Sequence, residues 1–246
     1  LIMNTNNTTE DISPQQTTPT NPIRCNNPHA LKTAQEADEL FEVMEPPLTG
    51  DGRTFDMLND RPKSTGQFKI RKEVHRDKDW HRSVHVWLVD TKRGLIALQK
   101  RSATKDTFPG RWDISAAGHI EAGVVDSRET AVRELAEELG IDDVVKGGGP
   151  PPHHYPELIF GFTCPAEQAG WGGCNAYEDV YFLERDSAEC NFAIGVAEVT
   201  DVKWMKIHDF EQALRNRDEE YVPRVDKYMD AFFQHLASMM MCMKCS

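Results

Sequence analysis

The pattern of hydrophobic positions is clearest between residues 126 and 140, where it predicts one amphipathic helix. The apolar positions that recur at helical spacing are Val132, Leu135, Ala136 and Leu139. Asp126 is suited to begin this helix as its N-cap, with Glu129 completing a capping box three residues later. Gly140 is suited to end the helix in a left-handed conformation. The helix therefore has defined ends and one apolar face.

The opposite face of this helix is acidic and consists of Glu134, Glu137 and Glu138. Like charges at this spacing repel each other by roughly 0.2–0.5 kcal/mol per pair. A hard divalent cation relieves that repulsion, and Mg²⁺ usually takes one or two carboxylates together with substrate phosphates. The residues alone allow two interpretations of this face. It is either a metal-binding face or a solvated surface rich in glutamate, which is a strong helix former.

Short stretches rich in β-branched and aromatic residues predict strands on both sides of this helix. They lie at residues 40–44, 83–89, 94–99, 112–115, 158–163, 179–184 and 199–207. One helical turn is expected within residues 66–77, a short helix at 211–215 and a longer helix at 221–240. The apolar stripe of the last helix consists of Val225, Tyr228, Met229, Phe232, Phe233 and Leu236. That stripe either docks on the core or forms a homodimer interface, and the elements together predict an α+β sandwich.

The composition divides the chain into a folded part and two tails. Residues 1–35 are poor in apolar residues and rich in Asn, Thr, Gln and Pro, which predicts a disordered tail. We expect Met3 to be the native start, followed by neither a signal peptide nor a membrane span. One domain is expected over residues 36–240, with residues 241–246 as a flexible tail.

Net charge and cysteine usage exclude several classes of protein. A formal net charge of −12 argues against a nucleic-acid-binding surface, because phosphate backbones would be repelled. A small phosphorylated substrate is compatible with this net charge where metal ions and local basic residues neutralise the substrate. The 6 cysteines are too scattered for a disulfide scaffold, so free thiols in a reducing cytoplasm are expected. Zinc binding is the alternative for the C-x-x-C pair of Cys242 and Cys245.

Residues 133–141, RELAEELGI, with Gly118 upstream, resemble the Nudix box. The pattern of that box is G-x5-E-x7-R-E-U-x-E-E-x-G-U, where U is aliphatic, and its second half matches at every specified position. The first half differs, because Gly118 lies one residue too far from Arg133 and the expected first glutamate falls on Val124 or Val125. We interpret the difference as a one-residue insertion in the loop before the helix.

This resemblance implies a fold, a metal ion and a set of functional residues. The fold is a Nudix-type α/β/α sandwich with a mixed sheet and a central acidic helix. The implied metal is Mg²⁺, with Mn²⁺ as the alternative, and its implied ligands are Glu134, Glu137, Glu138 and the backbone carbonyl of Ala117. The implied catalytic residues are Arg133, Glu137, Glu138 and Glu198. Arg133 would orient a carboxylate, and the general base would be a helix glutamate, preferably Glu138, or else Glu198, whose alternative is a plain surface acid.

Three further segments resemble a Nudix subgroup related to isopentenyl-diphosphate isomerase, at residues 73–89, 100–120 and 178–183. Arg101 and Lys105 match isomerase positions that hold the substrate diphosphate. The alternative for these two residues is an exposed basic turn.

The same comparison tests whether the chain could be an isomerase. His75, His81 and His119 lie close to the three metal-binding histidines of the isomerase. Its proton-transfer cysteine corresponds to Ala117, and its two glutamate ligands fall near Cys174 and Ala176. Glu178 could replace one of them only if the alignment slips by two residues. Because isomerisation needs a proton donor and a proton acceptor, the sequence favours hydrolysis. Any metal on the histidines would then be softer than Mg²⁺, such as zinc or manganese.

Three functions are therefore compatible with the sequence. The favoured one is metal-dependent hydrolysis of a diphosphate linkage in a small molecule, such as a nucleoside diphosphate joined to another group, by water attack on phosphorus. The alternatives are isopentenyl-diphosphate isomerase activity and a non-catalytic module that binds a phosphorylated ligand. His85, on an apolar strand, is expected to be a packed core residue.

Overall fold

The computed structural model describes residues 23–33, 38–47, 54–144 and 157–242. The strands are β1 (Ile23–Arg24), β2 (Leu40–Met44), β3 (Ser64–Ile70), β4 (His81–Asp90), β5 (Leu95–Arg101), β6 (Trp112–Asp113), β7 (Ala116–His119), β8 (Ile159–Glu167), β9 (Asn175–Glu184), β10 (Phe192–Ala193) and β11 (Val199–Lys206). The helices are α1 (Arg71–Asp77), α2 (Ser127–Leu139), α3 (Ile207–Arg215) and α4 (Asp226–Cys242). The predictions for residues 1–22 and for the Cys242–Cys245 pair concern residues or side chains outside those that the structure describes.

A mixed sheet forms the middle layer, with strand order β11-β5-β4-β9-β8. Strands β4 and β9 run parallel, whereas the other neighbours along this path are antiparallel. Side chains alternate along β4, so Val84, Val86 and Leu88 pack in the cluster that contains α2. Trp87 and Val89 pack in the cluster on the other face, which contains α4. The predicted α+β sandwich, with helices on both faces of a mixed sheet, is confirmed.

Strands β4 and β5 pair directly only near their hairpin, at Val89 with Ile96 and Asp90 with Leu95. Beyond that point they separate, because β6 pairs with β5 and β7 pairs with β4. Ser115 links the two strands where they part. Its hydroxyl donates to the Ala97 carbonyl over 2.6 Å and accepts from the Leu88 N–H over 2.8 Å. The gap leaves room for side chains of α2 to reach the backbone of β7.

Helix α2 begins and ends where the sequence predicts. The Asp126 carboxylate accepts a hydrogen bond from the Arg128 N–H at 2.9 Å, and Gly140 follows the helix with a φ of 68°. In the apolar stripe, Val132, Leu135 and Leu139 are buried in the cluster that also contains residues of β4, whereas Ala136 is half-buried. The acidic face is buried as well, since Glu134 is 5% exposed and Glu138 is 1% exposed. The interpretation of this face as a solvated helix surface is therefore wrong.

The apolar stripe of the C-terminal helix α4 docks on the core. Tyr228, Phe232 and Leu236 are buried in the cluster that also contains Trp87 and Phe162. Burial inside its own chain makes this stripe unavailable as a homodimer interface, so that alternative is wrong. Within the described residues, no helix has both the length and the apolar character needed to cross a membrane.

The structure differs from the sequence expectation at several short elements. The strand predicted at 112–115 is shorter in the structure, where β6 ends at Asp113 and a separate strand, β7, begins at Ala116. Strand β3 was missed because its outward residues are polar and exposed. The stretch 66–77 does contain a helix, α1. The sequence predicts a disordered tail through residue 35, whereas the structure places residues 23–33 against the domain through pairing of β1 with β10. Helix α4 also continues past the predicted domain end at residue 240.

Candidate functional site

A cleft of about 420 Å³ opens beside the acidic face of α2. Its lining includes Glu134 and Glu137 from α2 and Lys105 from the loop after β5. The part of the lining that comes from β4, β6, β9 and the segment before α4 is called the inner wall. The predicted site residues Arg101, Ala117, Arg133 and Glu198 also line this cleft.

Glu138 lies deepest among the three helix glutamates. Its Oε2 atom accepts hydrogen bonds from Gln99 Nε2 at 2.8 Å and from the Ala117 N–H at 2.9 Å. Its Oε1 atom is buried and has no hydrogen-bond partner among the described residues. Burial raises the pKa of the Glu138 carboxyl to about 7, although nearby Lys105 opposes the shift. The charged form of Glu138 is thus short of stabilising contacts in the protein alone.

Glu134 fills the space beside Gly118. A Cβ atom built on Gly118 would lie 1.9 Å from Glu134 Oε1, so this close approach requires glycine. Burial raises the pKa of Glu134 well above its usual value, and the charge of Glu138 adds to the effect. Arg133 contacts three carboxylates, at 3.1 Å from Glu134 Oε1, 2.9 Å from Glu137 Oε2 and 3.6 Å from Glu121 Oε1. This geometry suits a residue that orients carboxylates.

Lys105 and Glu198 meet on the wall opposite α2. The Lys105 ammonium contacts the Glu198 carboxylate and lies 3.5 Å from Glu138 Oε1. Both side chains are less than a tenth exposed, with Lys105 at 9% and Glu198 at 8%. The structure therefore contradicts two interpretations of the sequence. Lys105 is not part of an exposed basic turn, and Glu198 is not a plain surface acid.

Arg101 is held more tightly than Lys105. Its guanidinium donates to Asp113 Oδ2 at 3.0 Å and to the Thr107 carbonyl at 2.9 Å. These bonds fix the arginine at the cleft wall, where its side chain is 12% exposed. Arg101 is thus a fixed positive charge, whereas Lys105 has a flexible stem and can follow a ligand.

Three histidines and one cysteine form a second cluster of metal-ligating groups: His75, His81, His119 and Cys174. One ligand atom from each lies within 4.8 Å of all the others. Nε2 of His75 and of His81 is buried without a hydrogen-bond partner among the described residues. Burial lowers the pKa of His75 to about 4 and that of His81 to about 3, so the rings are neutral at neutral pH, as metal binding requires.

The nature of these donors indicates which metal they could hold. Three imidazoles and one thiol form a nitrogen–sulfur set, which suits Zn²⁺ and is unlike the oxygen ligands that Mg²⁺ prefers. Burial raises the pKa of the Cys174 thiol to about 12, so a metal would have to displace its proton. Arg71 Nη1 lies 2.9 Å from His119 Nδ1 and competes with a cation for that ring. The sequence placed the histidines together, and the structure adds Cys174 as a fourth donor.

The inner wall contains charged residues that sequence reasoning missed or left aside. Arg224 is 4% exposed, contacts Asp113 and lies 3.9 Å from Glu178 Oε1. Nε2 of His85 lies 3.6 Å from the same oxygen, and its Nδ1 lies 3.1 Å from the Tyr228 hydroxyl. His85 is buried, as expected, and it also lines the cleft. Arg224 belongs to no sequence motif, so only its position in the fold identifies it as a residue of this cleft.

A residue of the N-terminal segment supports α2 from outside the cleft. The Asn27 amide donates to the carbonyl oxygens of Ala136 at 2.8 Å and of Glu137 at 2.9 Å. The Gly195 N–H donates to the Glu138 carbonyl at 2.9 Å. These bonds satisfy carbonyl groups that the end of a helix leaves without partners.

Comparison with known proteins gives one family. The profile of the NUDIX domain matches residues 79–225. The chain is 41% identical over 175 residues to Nudix hydrolase 3 of Arabidopsis thaliana, a match that covers 69% of this chain and 21% of that protein. It is 27% identical over 158 residues to prenyl-diphosphate phosphatase of Methanosarcina mazei, covering 63% of this chain and 81% of that protein. The solved structure of DR0079 from Deinococcus radiodurans covers 78% of this chain and 97% of its own, with 14% identity and a TM-score of 0.48.

Proposed function

Because this chain belongs to the NUDIX family, whose enzymes generally need divalent metal ions, we propose that it hydrolyses a diphosphate linkage in a small phosphorylated molecule. The observation that carries this proposal is the burial of Glu134 and Glu138 beside each other, with Glu138 Oε1 lacking a hydrogen bond among the described residues and contacted by Lys105 at 3.5 Å. A buried pair of carboxylates is unfavourable without a cation, because each charge loses solvation and repels the other.

The residues present fit Mg²⁺ or Mn²⁺ as that cation. The proposed ligands are Glu134, Glu137 and Glu138, with the Ala117 carbonyl as a further oxygen donor. The Ala117 N–H donates to Glu138, so this backbone segment lies beside the carboxylates. When bound, the ion would polarise the diphosphate and lower the pKa of the attacking water.

The surrounding side chains are assigned roles from their contacts. Arg133 holds Glu134 and Glu137 in orientation through its two terminal nitrogens. Arg101 and Lys105 bind phosphate oxygens, one as a fixed charge and the other as a mobile one.

Glu138 is the preferred general base, because it lies deepest among the helix glutamates and its Oε1 atom accepts no hydrogen bond among the described residues. Glu198 is the alternative base. It contacts Lys105, and it becomes free when that lysine turns to a phosphate.

The strand register argues against isomerase activity. Ala176 on β9 lies opposite His81 on β4, and Glu178 lies two residues further along, opposite Ser83. The register keeps Glu178 two residues away from the position opposite His81, and Glu178 is not in the histidine cluster that the described residues form. Ala117 and Ala176 have no group that can donate or accept a proton, which favours water attack on a diphosphate over proton transfer across a double bond.

The test is phosphate release from a panel of diphosphates with Mg²⁺ or Mn²⁺. The panel contains nucleoside diphosphates joined to sugars, and isopentenyl diphosphate with its isomer measured separately. We expect cleavage by the wild type and a loss of about a hundredfold or more in Glu137→Gln and Glu138→Gln. Glu129→Gln, on an exposed position of the same helix, is the matched control.

Two outcomes would contradict the proposal. Isomer formation without cleavage would assign the chain to the isomerase reaction. Ligand binding without cleavage or isomerisation under either metal would assign it to the non-catalytic binding modules.

A further inference from the structure

The inner wall of the cleft carries titratable side chains among apolar ones. The titratable ones are Glu178, His85, Arg224 and Asp113. Glu178 is 4% exposed, and its Oε2 atom has no hydrogen-bond partner in the part of the chain that the structure describes. A buried polar atom without a partner is rare in folded proteins and commonly marks a ligand or an ordered water.

Neighbouring charges restrict which group could satisfy this carboxyl. Arg224 and Arg101 both contact Asp113, so two cations share one anion on the same wall. A cationic ligand group would meet these arginines and is disfavoured. A hydrocarbon group would exclude water from the Glu178 Oε2 atom and give it no hydrogen-bond donor, which is also unfavourable. A hydroxyl group avoids both penalties, because it can donate to a carboxylate and can also accept from a protonated carboxyl or from a guanidinium.

The position of Glu178 allows such a group to be joined to the reacting phosphates. Glu178 lines the same cleft as Glu134, Glu137 and Lys105. Burial also raises the pKa of Glu178 to about 8, so the carboxyl is largely neutral at neutral pH and can donate as well as accept.

We propose that Glu178, with His85 and Arg224, forms a subsite for a hydroxyl-bearing group attached to the diphosphate, such as a sugar, and disfavours an isoprenoid chain. This inference rests on the proposed function, because it assigns the group that the diphosphate carries. Glu178 is a specificity-determining residue in this subsite, and the metal-binding carboxylates of α2 are separate from it.

The test compares two five-carbon diphosphate monoesters, ribose 5-diphosphate and isopentenyl diphosphate, with Mg²⁺. We measure kcat/KM for each diphosphate and, by calorimetry, Kd for ribose 5-phosphate and isopentenyl monophosphate. The proteins are the wild type, Glu178→Gln, Glu178→Leu and the exposed control Glu219→Leu. The wild type and Glu219→Leu should prefer the ribose compound by about tenfold or more in both quantities. Glu178→Leu should abolish or reverse the preference, and Glu178→Gln should retain part of it.

The two readouts separate failure of this inference from failure of the proposed function. Cleavage of both diphosphates at similar rates, or a preference unchanged in Glu178→Leu, would overturn the subsite and leave hydrolysis standing. A binding preference that depends on Glu178, without cleavage of either compound, would support the subsite and count against hydrolysis of these two diphosphates. Absence of any binding preference in the wild type would overturn the subsite.

Discussion

Lys105 Nζ lies 3.5 Å from Glu138 Oε1, the buried carboxylate oxygen that lacks a hydrogen-bond partner among the described residues. The two residues belong to different parts of the chain, and the contact brings a mobile cation to the deepest acid of α2. This lysine lowers the pKa of Glu138, but burial outweighs it and the pKa still rises to about 7. The protein alone therefore supplies too little positive charge for its acidic face.

Metal binding should stabilise the fold more at neutral than at acidic pH. The pKa of Glu138 rises from 4.5 to about 7 on folding, so its contribution to stability is full below pH 4.5 and is lost as pH rises toward 7. Mg²⁺ or Mn²⁺ competes with that proton. At a hundredfold excess over Kd we expect stabilisation of about 2–3 kcal/mol near neutral pH and clearly less near pH 5. Thermal unfolding with metal and with chelator measures the difference, and equal shifts at both pH values would contradict it.

Gly118→Ala should disrupt the acidic face. The added Cβ would lie 1.9 Å from Glu134 Oε1, so the carboxylate must leave its position beside β7. We expect kcat/KM with Mg²⁺ to fall by about a hundredfold, since small displacements of positioned groups have effects of that size. Gly170→Ala is the control, because a Cβ there meets nothing within 4 Å. Wild-type activity in Gly118→Ala would show that Glu134 can move without consequence.

Asn27→Ala should weaken the end of α2. The substitution removes two hydrogen bonds to the carbonyl groups of Ala136 and Glu137. We expect the free energy of unfolding to fall by about 1–2 kcal/mol, measured by urea denaturation. Asn191→Ala, at an exposed position whose described amide bond is local, is the control. An unchanged free energy in Asn27→Ala would mean that these two hydrogen bonds do not stabilise the domain.

The cluster of His75, His81, His119 and Cys174 should bind a soft divalent ion. Titration of the metal-free protein with Co²⁺ as a probe for Zn²⁺ should give visible absorption bands of a tetrahedral site, with a sulfur-to-cobalt band in the near ultraviolet. Cys174→Ser should lose the sulfur band, and His81→Ala should weaken binding by about tenfold or more. Arg71→Met should tighten binding, because Arg71 lies 2.9 Å from His119 Nδ1.

Cys25→Ser, at an exposed cysteine, is the control for the cobalt titration. Spectra that are identical in the wild type and in Cys174→Ser would exclude sulfur coordination at this cluster.

Local patterns predicted the elements whose signals lie in consecutive residues. The cap at Asp126, the terminal Gly140 and the apolar stripe between them defined α2 nearly to the residue. The alternation that marks a half-buried strand was missing from β3, whose side chains face solvent, so β3 was missed. The two-residue strands β1 and β10 were missed because they exist only through their mutual pairing.

The sequence by itself determined the acidic helix and its ends through local patterns, and its resemblance to the isomerase subgroup indicated Arg101, Lys105 and the three histidines. Only the tertiary structure decided that the acidic face is buried, that Lys105 contacts Glu138 and Glu198, and that Arg224 and Glu178 share the inner wall. Burial and charge pairing depend on residues distant in the chain, and no spacing within a segment encodes them. The pKa shifts that prepare this cleft for chemistry arise from that burial.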